Sequence, residues 1–283
     1  MTFKETDIAF AASQIARIDS GEEDIFRDTV NTNAQVVTKI FSNHGLNEGV
    51  FHSCQIYDCL RIHIAFVENT DCYNEEIAAF IRQAMHTSGH SSCYIWLCNE
   101  NRKITEYLKE VFQIGPEPGG KHHYASTEFI VRREMFNPTT HNDAVEIRQY
   151  EEKYMDDYLL MLDGSMTFAS PPFDFMKNKN HYLERFNELN KQCAFEAFWL
   201  QDELVGLYWR VNAEIDIMAV AEKHQRKGYG SMILTRAIQM VFETTDAEYA
   251  YLYAVDWNKK GCAFYQKYGM LKNGHSCLLR LHT

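Results

Sequence analysis

The sequence lacks any apolar run near the ~20 residues that a membrane helix needs, so no spanning segment and no membrane partner are expected. It also lacks an excess of positive charge. The formal net charge is −11 at pH 7, and a nucleic-acid binder is read by a basic patch, so nucleic acid is not an expected partner. No Cys-x-x-Cys pair occurs among the eight cysteines, and no secretory leader is expected ahead of them. Reduced thiols in a cytoplasmic protein are the expectation. His122 and His123 stand together, yet no ligand set with clear spacing accompanies them, and no metal is expected.

Two common phosphate cradles are missing as well. No Lys-Ser or Lys-Thr follows Gly230, which excludes the P-loop, and no Gly-x-Gly-x-x-Gly stands after a first strand, which excludes the dinucleotide fingerprint. A different cradle is present. Gln225-Arg226-Lys227-Gly228-Tyr229-Gly230-Ser231 follows the strand-like run Ile215–Ala221 and opens the helix-like run Met232–Phe242. Glycines at such a junction let the backbone come close to a ligand. The helix behind them adds free N–H groups and the positive end of its dipole, which suits a diphosphate. Arg226 and Lys227 add full charges beside it. Downstream, the strand-like run Tyr249–Val255 leads through Asp256-Trp257-Asn258 into a helical stretch, Lys259–Tyr268, with Gly269-Met270 as its stop.

A Gln/Arg-x-x-Gly-x-Gly loop followed by strand, Asn, helix and Tyr-Gly resembles the two signatures of the GNAT superfamily of N-acetyltransferases, over residues 143–283. The resemblance implies an α/β fold (α+β, with a mixed sheet) and acetyl-CoA as co-substrate. It implies that Gln225, Arg226, Lys227, Gly228, Tyr229, Gly230 and Ser231 hold the diphosphate. Met218, Ala219 and Val220 would border the thioester, with the amide of Val220 or Ala219 polarising its carbonyl. Asn258 would meet the CoA arm, the helix carrying Phe264 would cover the pantetheine, and Tyr265 would protonate the departing thiolate.

Acetyl transfer needs a neutral amine, but an alkylamine with a pKa near ~10.4 is almost wholly protonated at pH 7. A placed base contributes roughly 10²–10⁴-fold, and a backbone N–H steadies the oxyanion. Glu214, at the start of the strand before the loop, is the candidate base, and the resemblance to the histone-acetyltransferase branch of the family points to it. Simple alternation puts Glu214, Asp216, Met218 and Val220 on one face, so Asp216 is the alternative base or an amine ligand.

The first half reads as a fainter copy. Tyr94–Ile114 repeats the strand, an Asn (Asn101 against Asn258) and a helix with Tyr107 against Phe264, while Leu108 stands where Tyr265 does. The same offset sets the strand Leu60–Val67 opposite the strand before the loop. Where a cradle should follow, Glu68–Glu76 has no glycine and four acids, which would repel a diphosphate. The chain is therefore read as a tandem: 1–137, a degenerate GNAT-like domain without the CoA loop, and 143–283, the acetyltransferase domain. A different small α/β domain is the alternative for the first half. Gly115–Gly120 reads as a loop inside the first domain, and 137–143 as the linker. In the second, the strand Val145–Arg148 precedes a helix Tyr150–Leu162 and a hairpin, Phe195–Leu200 with Leu204–Val211. The Phe168–Phe175 segment, with two prolines and Asp174, would shape an acceptor cleft for a small-molecule or peptide amine. A binding module or acyl-CoA sensor that keeps the fold without turnover is the alternative function, and either a monomer or a homodimer fits.

Overall fold

The computed structural model describes residues 4–30, 36–56, 59–115, 123–138, 144–167 and 174–282, without the side chains of His123 and Tyr124. Most of the Gly115–Gly120 loop, most of the 137–143 linker, His122 and the acceptor segment as far as Phe173 lie outside these residues. In chain order the elements are α1 (Glu5–Ile15), α2 (Ser20–Thr29), β1 (Val37–Asn43), β2 (Leu46–Ile56), β3 (Cys59–Phe66), α3 (Asn74–Ser88), β4 (Ser92–Cys98), α4 (Arg102–Val111), β5 (Gln113–Ile114) and β6 (His123–Arg132). Then come β7 (Val145–Gln149), α5 (Met155–Ser165), α6 (Lys179–Lys191), β8 (Phe195–Leu200), β9 (Glu203–Val211), β10 (Glu214–Val220), α7 (Tyr229–Thr244), β11 (Tyr249–Val255), α8 (Lys259–Tyr268) and β12 (Leu271–His282).

The chain forms two compact units, Met1–Glu128 with Lys272–Thr283, and Phe129–Leu271. This division differs from the one read in the sequence. The last strand joins the first unit because Cys277, Leu279 and Leu281 fill that unit's core beside Ile95 and Leu97. Phe129 and Val131, before the expected linker, lie in a core of the second unit.

In the first unit the strand order is β1-β2-β3-β4-β12, with the start of β6 beside β12. The β1–β2 and β2–β3 steps are antiparallel, β3–β4 is parallel and β4–β12 antiparallel. Helices α3 and α4 cover one face through Ile77, Ile81, Ile104 and Leu108. Helices α1 and α2 cover the other through Ala12, Ile15 and Phe26. The second unit repeats the plan, in the order β6-β11-β10-β9-β8-β7, with β10–β11 as its parallel step. Here α5 and α6 pack on one face through Tyr158, Leu162 and Phe186. Helix α7 packs on the other through Ile233, Leu234, Ala237, Ile238 and Val241, the stripe a 3.6-residue period puts on one side. Strand β9 is buried on both faces along its middle, as a strand between two helical layers must be.

The helix expected from Tyr150 starts later, at Met155, after a short 3-10 turn. The Tyr150 ring is drawn into the core against Phe186 and Phe195, with centroids 5.5 and 5.6 Å away, and Glu151 after it is still extended (φ −126°, ψ 121°). The hairpin, the strand Tyr249–Val255 and the helix Lys259–Tyr268 fall where the sequence places them.

The parallel steps of the two units differ. In the first, pairing runs from Arg61↔Tyr94 to Ile64↔Leu97. Beyond it Asn101, fully buried, ties the ends together: its Oδ1 accepts from Phe66 N (2.9 Å), and its Nδ2 donates to the carbonyls of Phe66 (3.0 Å) and Glu68 (3.1 Å). Replacing Asn101 with Ala leaves the buried Phe66 N–H without its acceptor, at about 1–3 kcal/mol, while the Phe66 carbonyl keeps Arg17 (2.7 Å) and the Glu68 carbonyl keeps the Thr70 amide (3.0 Å). The expected outcome is a loss of about 1–3 kcal/mol, read as a lower urea midpoint for the transition of the first unit.

Candidate active site

In the second unit the corresponding strands part. Strands β10 and β11 share a single register pair, Glu214↔Tyr251, before separating. The cause lies in β10. On its β9 side, Glu214 pairs with Val211 and Ile217 with Trp209, so three steps on β10 span two on β9. This is a β-bulge, which kinks a strand and increases its twist.

The bulge also overturns the expectation that Glu214, Asp216, Met218 and Val220 share a face. Ile215, Met218 and Val220 pack toward α7. Ile217 and Ala219 pack toward α5 and α6, and Asp216 is held on that side by the Trp209 indole N–H (2.8 Å) and the Arg185 guanidinium (3.5 Å). Glu214, half-buried, precedes the bulge and alternates with Ile215, so it lies on the face of Asp216. Its neighbour across the ladder is Tyr251, in the middle of a row, Tyr249, Tyr251 and Tyr253, with ring centroids 6.0 and 5.7 Å apart. Ala250, Leu252 and Ala254 turn the other way into the core. The row was not recognised from the sequence as part of a site, although a tyrosine at every second position of a strand is its visible signal.

At the mouth of the parted strands sits the glycine loop. Arg226 and Gly228 both take left-handed backbone, with φ of 60° and 91°. A Cβ on Gly228 would meet nothing within 4 Å, so this glycine is required by its backbone and not by packing. Gly228 caps α7 without a side-chain bond, and Met232 N–H makes the first bond to it, to the Gly228 carbonyl at 3.2 Å. The amides of Tyr229, Gly230 and Ser231 therefore precede the helical ladder and project from the helix end. A Cβ on Gly230 would come 3.5 Å from the Phe264 ring, which covers this corner from α8. Arg226 and Lys227 are exposed and form no ion pair among the described residues.

Other expected residues are used differently. The Gln225 side chain turns back, donating from Nε2 to the Val220 carbonyl (3.1 Å), and so closes the loop onto β10. The Asn258 Oδ1 accepts from Gly261 N (3.0 Å) and caps α8, leaving Nδ2 as its donor toward a ligand. Ala219 is buried, so only its backbone is available there. Asp174 spends its carboxylate on the Lys177 amide (3.0 Å), ahead of α6. Tyr265 is half-buried beside Phe129 and Phe264, and burial, then the neighbouring Cys262, pushes its hydroxyl up to about 12. It stays protonated at neutral pH, as a proton donor must.

Three anchors hold the loop and α7, and none was read from the sequence. Glu203 binds Lys223 and stands 3.2 Å from the buried His224 ring, which lies edge-on to Tyr229. The Lys223 contact holds the Glu203 carboxyl below the usual range. In mid-helix, Arg236 donates from Nε and Nη2 to Glu196 (2.9 and 2.8 Å), which also accepts from the Tyr208 hydroxyl (2.7 Å). Burial, with Glu196 alongside, drives the Tyr208 pKa well up. At the far end Arg133 donates to the carbonyls of Phe242 (2.7 Å), Thr245 (2.8 Å) and Ala247 (3.0 Å), satisfying the end of α7 and the turn after it. A cavity of about 460 Å³ lies among β6, α7 and α8. Its lining takes in Ser231 but not Glu214, Tyr265 or the rest of the loop.

Residues 155–270 match the model of the Acetyltransferase (GNAT) family. No curated protein matches the sequence. Among solved structures, the chain is similar to a GCN5-related N-acetyltransferase from Sphaerobacter thermophilus at 12% identity, covering 97% of this chain and 93% of that one with a TM-score of 0.55. It is similar to a functionally unknown conserved protein from Staphylococcus epidermidis (16% identity, 91% and 97% covered, TM-score 0.53). It is also similar to a GNAT-family acetyltransferase from Colwellia psychrerythraea (10%, 100% and 99%, 0.50). At these identities the likeness is one of fold, and it extends over nearly the whole chain. The family match thus falls within the second unit, and the first repeats the strand plan of the second without the glycine loop.

The Glu196–Arg236 pair gives a prediction. Glu196 is 1% exposed, and removing the partner of a buried charge costs about 3–5 kcal/mol. Arg236 is partly exposed, so the expected loss for Arg236→Met is about 3 kcal/mol, measured by denaturant unfolding. Equal stability of variant and wild type would show that the pair does not anchor α7.

Proposed function

We propose that the second unit transfers an acetyl group from acetyl-CoA to a primary amine of a small molecule or peptide, in one direct step. The observation that carries this reading is the parting of β10 and β11 beside an uncovered row of helix-start amides. Such an opening accepts a long, thin ligand with a diphosphate at one end. The open space at Gly228 and the free charges of Arg226 and Lys227 fit that group. Acetyl-CoA supplies the activated thioester; the residues of the chain bind, orient and move protons.

In this reading the amides of Tyr229, Gly230 and Ser231 hold the diphosphate, with Nδ2 of Asn258 directed to the arm and Phe264 packed along it. Backbone N–H groups at the end of β10, at Ala219 or Val220, polarise the carbonyl. Glu214 takes the proton from the incoming ammonium. Asp216 is the weaker candidate because its Oδ2 is committed to Trp209 and Arg185. The tyrosine row beside Glu214 offers ring faces to a cationic amine, and Tyr265 returns a proton to the thiolate.

Calorimetric titration of acetyl-CoA tests the binding half. One site per chain is expected, lost in Gly228→Glu, whose carboxylate enters the open space at the loop. No binding by the wild-type protein would remove the acetyltransferase reading and leave a structural or peptide-binding role. For the chemistry, Glu214→Gln is expected to lower kcat/KM by about 10²–10³-fold and Tyr265→Phe to lower kcat at least tenfold. Full turnover in either variant would end that role assignment. Since burial raises the Tyr265 pKa to about 12, its proton is present at every pH below that value. The kcat profile should therefore rise with pH as the base and amine lose protons, with no descending limb from Tyr265 before about pH 10.

A further inference from the structure

The first unit contains a polar cluster that the proposed chemistry does not use, sealed between its sheet and α2. His52 and Cys54 point to one side of β2, since they are two residues apart, and His63 is the register partner of His52 on β3. All three are buried, and their ligand-capable atoms lie within 4.8 Å of one another. The imidazoles stack, with centroids 5.5 Å apart and planes 18° from parallel.

The hydrogen bonding of the cluster is uneven. The Nε2 of His63 lies 2.5 Å from a Glu22 carboxylate oxygen, and Arg61 reaches the other oxygen of Glu22 at 3.5 Å while stacking on Trp96. The Nδ1 of His63 is wholly buried and has no hydrogen-bond partner. An unpaired nitrogen in a dry core costs about 1–3 kcal/mol. The His52 ring is held by the hydroxyls of Thr29 (3.0 Å) and Thr38 (2.9 Å), and either tautomer leaves one of its nitrogens with a lone pair. The Cys54 thiol, raised to about 11 chiefly by burial, is neutral at pH 7 when no ion is bound.

We propose that His52, Cys54 and His63 bind one zinc-class divalent ion in the first unit, with Glu22 orienting His63 from behind. The donor set, two imidazoles and a thiolate, is one that zinc prefers over magnesium or calcium. A tetrahedral site with bonds of about 2.0–2.3 Å places ligand atoms roughly 3.3–3.7 Å apart. Closing on an ion therefore asks about 1 Å of side-chain movement. A carboxylate on the far nitrogen of a histidine fixes its tautomer and raises its basicity, as ligating histidines commonly require. Binding leaves the ion in place of the Cys54 thiol proton, so one proton is released per ion. With the ligands fully enclosed, the ion enters as the unit folds.

The test uses the full chain expressed in medium supplemented with zinc or with cobalt, then dialysed against a weak chelator. Elemental analysis should give about one ion per chain, and the metal-loaded protein should melt several degrees higher than protein grown without added metal. The cobalt form should show a thiolate-to-metal charge-transfer band that Cys54→Ser abolishes. X-ray absorption on the wild-type zinc protein needs no variant and should find one sulfur and two imidazole ligands. Glu22→Gln should weaken binding about 10–100-fold. Less than about a tenth of an ion per chain, a charge-transfer band unchanged in Cys54→Ser, or a metal shell without sulfur would each overturn the proposal. The cluster would then be a neutral hydrogen-bonded core.

Discussion

The site depends on one extra residue in β10. A bulge between Glu214 and Ile217 changes which side chains face which core, and β10 and β11 lose register beyond it. Parted strands leave backbone donors and acceptors without sheet partners, and such groups must find others. Gln225 claims the carbonyl of Val220. What is left along the opening is a line of polar backbone with apolar side chains beside it, which is the feature the proposed function rests on. In the first unit the same parallel step stays in register, and Asn101 satisfies the backbone groups at its end. One topology thus gives a slot in one unit and a seam in the other, according to which residue answers the backbone.

A gap of this kind binds only if the groups lining it stay still. Preorganised amides stabilise charge because they need not reorient when the charge arrives. Helix α7, which presents them, is tied before its start by Glu203, in its middle by Glu196 and beyond its end by Arg133. Two of the three anchors are ionic, and the third has a guanidinium serving backbone carbonyls. They surround a helix whose apolar face alone would leave it free to slide along the sheet.

The parts of this arrangement that could be read in the sequence were the local ones. A left-handed turn favours glycine, so Gly228 announces itself, as does Gly269 at the stop of α8 with φ of 104°. Asn101 and Asn258 stand at the same offset and both prove to be helix N-cap positions. The parts that stayed hidden depend on pairing across distance. The bulge is a property of β10 against β9, and alternation alone put Met218 and Val220 on the face of Glu214 and Asp216. Strand β12 carries no mark of the unit it will join, because Leu279 and Leu281 would suit any apolar layer. The helix start at Met155 depended on where the Tyr150 ring found its partners, which lie on α6 and β8.

The two units also treat the same layer differently, and this bears on what each can do. The sheet face under α1 and α2 in the first unit encloses Glu22, Arg61, His52 and His63, all held by one another or by threonines. Burying so many ionisable groups is costly unless each finds a partner, and the arrangement is not needed merely to close a core. In the second unit the corresponding face offers Glu214 and Asp216 near an aromatic row, half-exposed and next to the opening. A carboxylate kept partly in solvent can exchange a proton with an arriving amine, and one sealed in a core cannot. The acceptor chemistry proposed for this protein therefore fits the unit whose strands part, and the polar interior of the other calls for a role of its own.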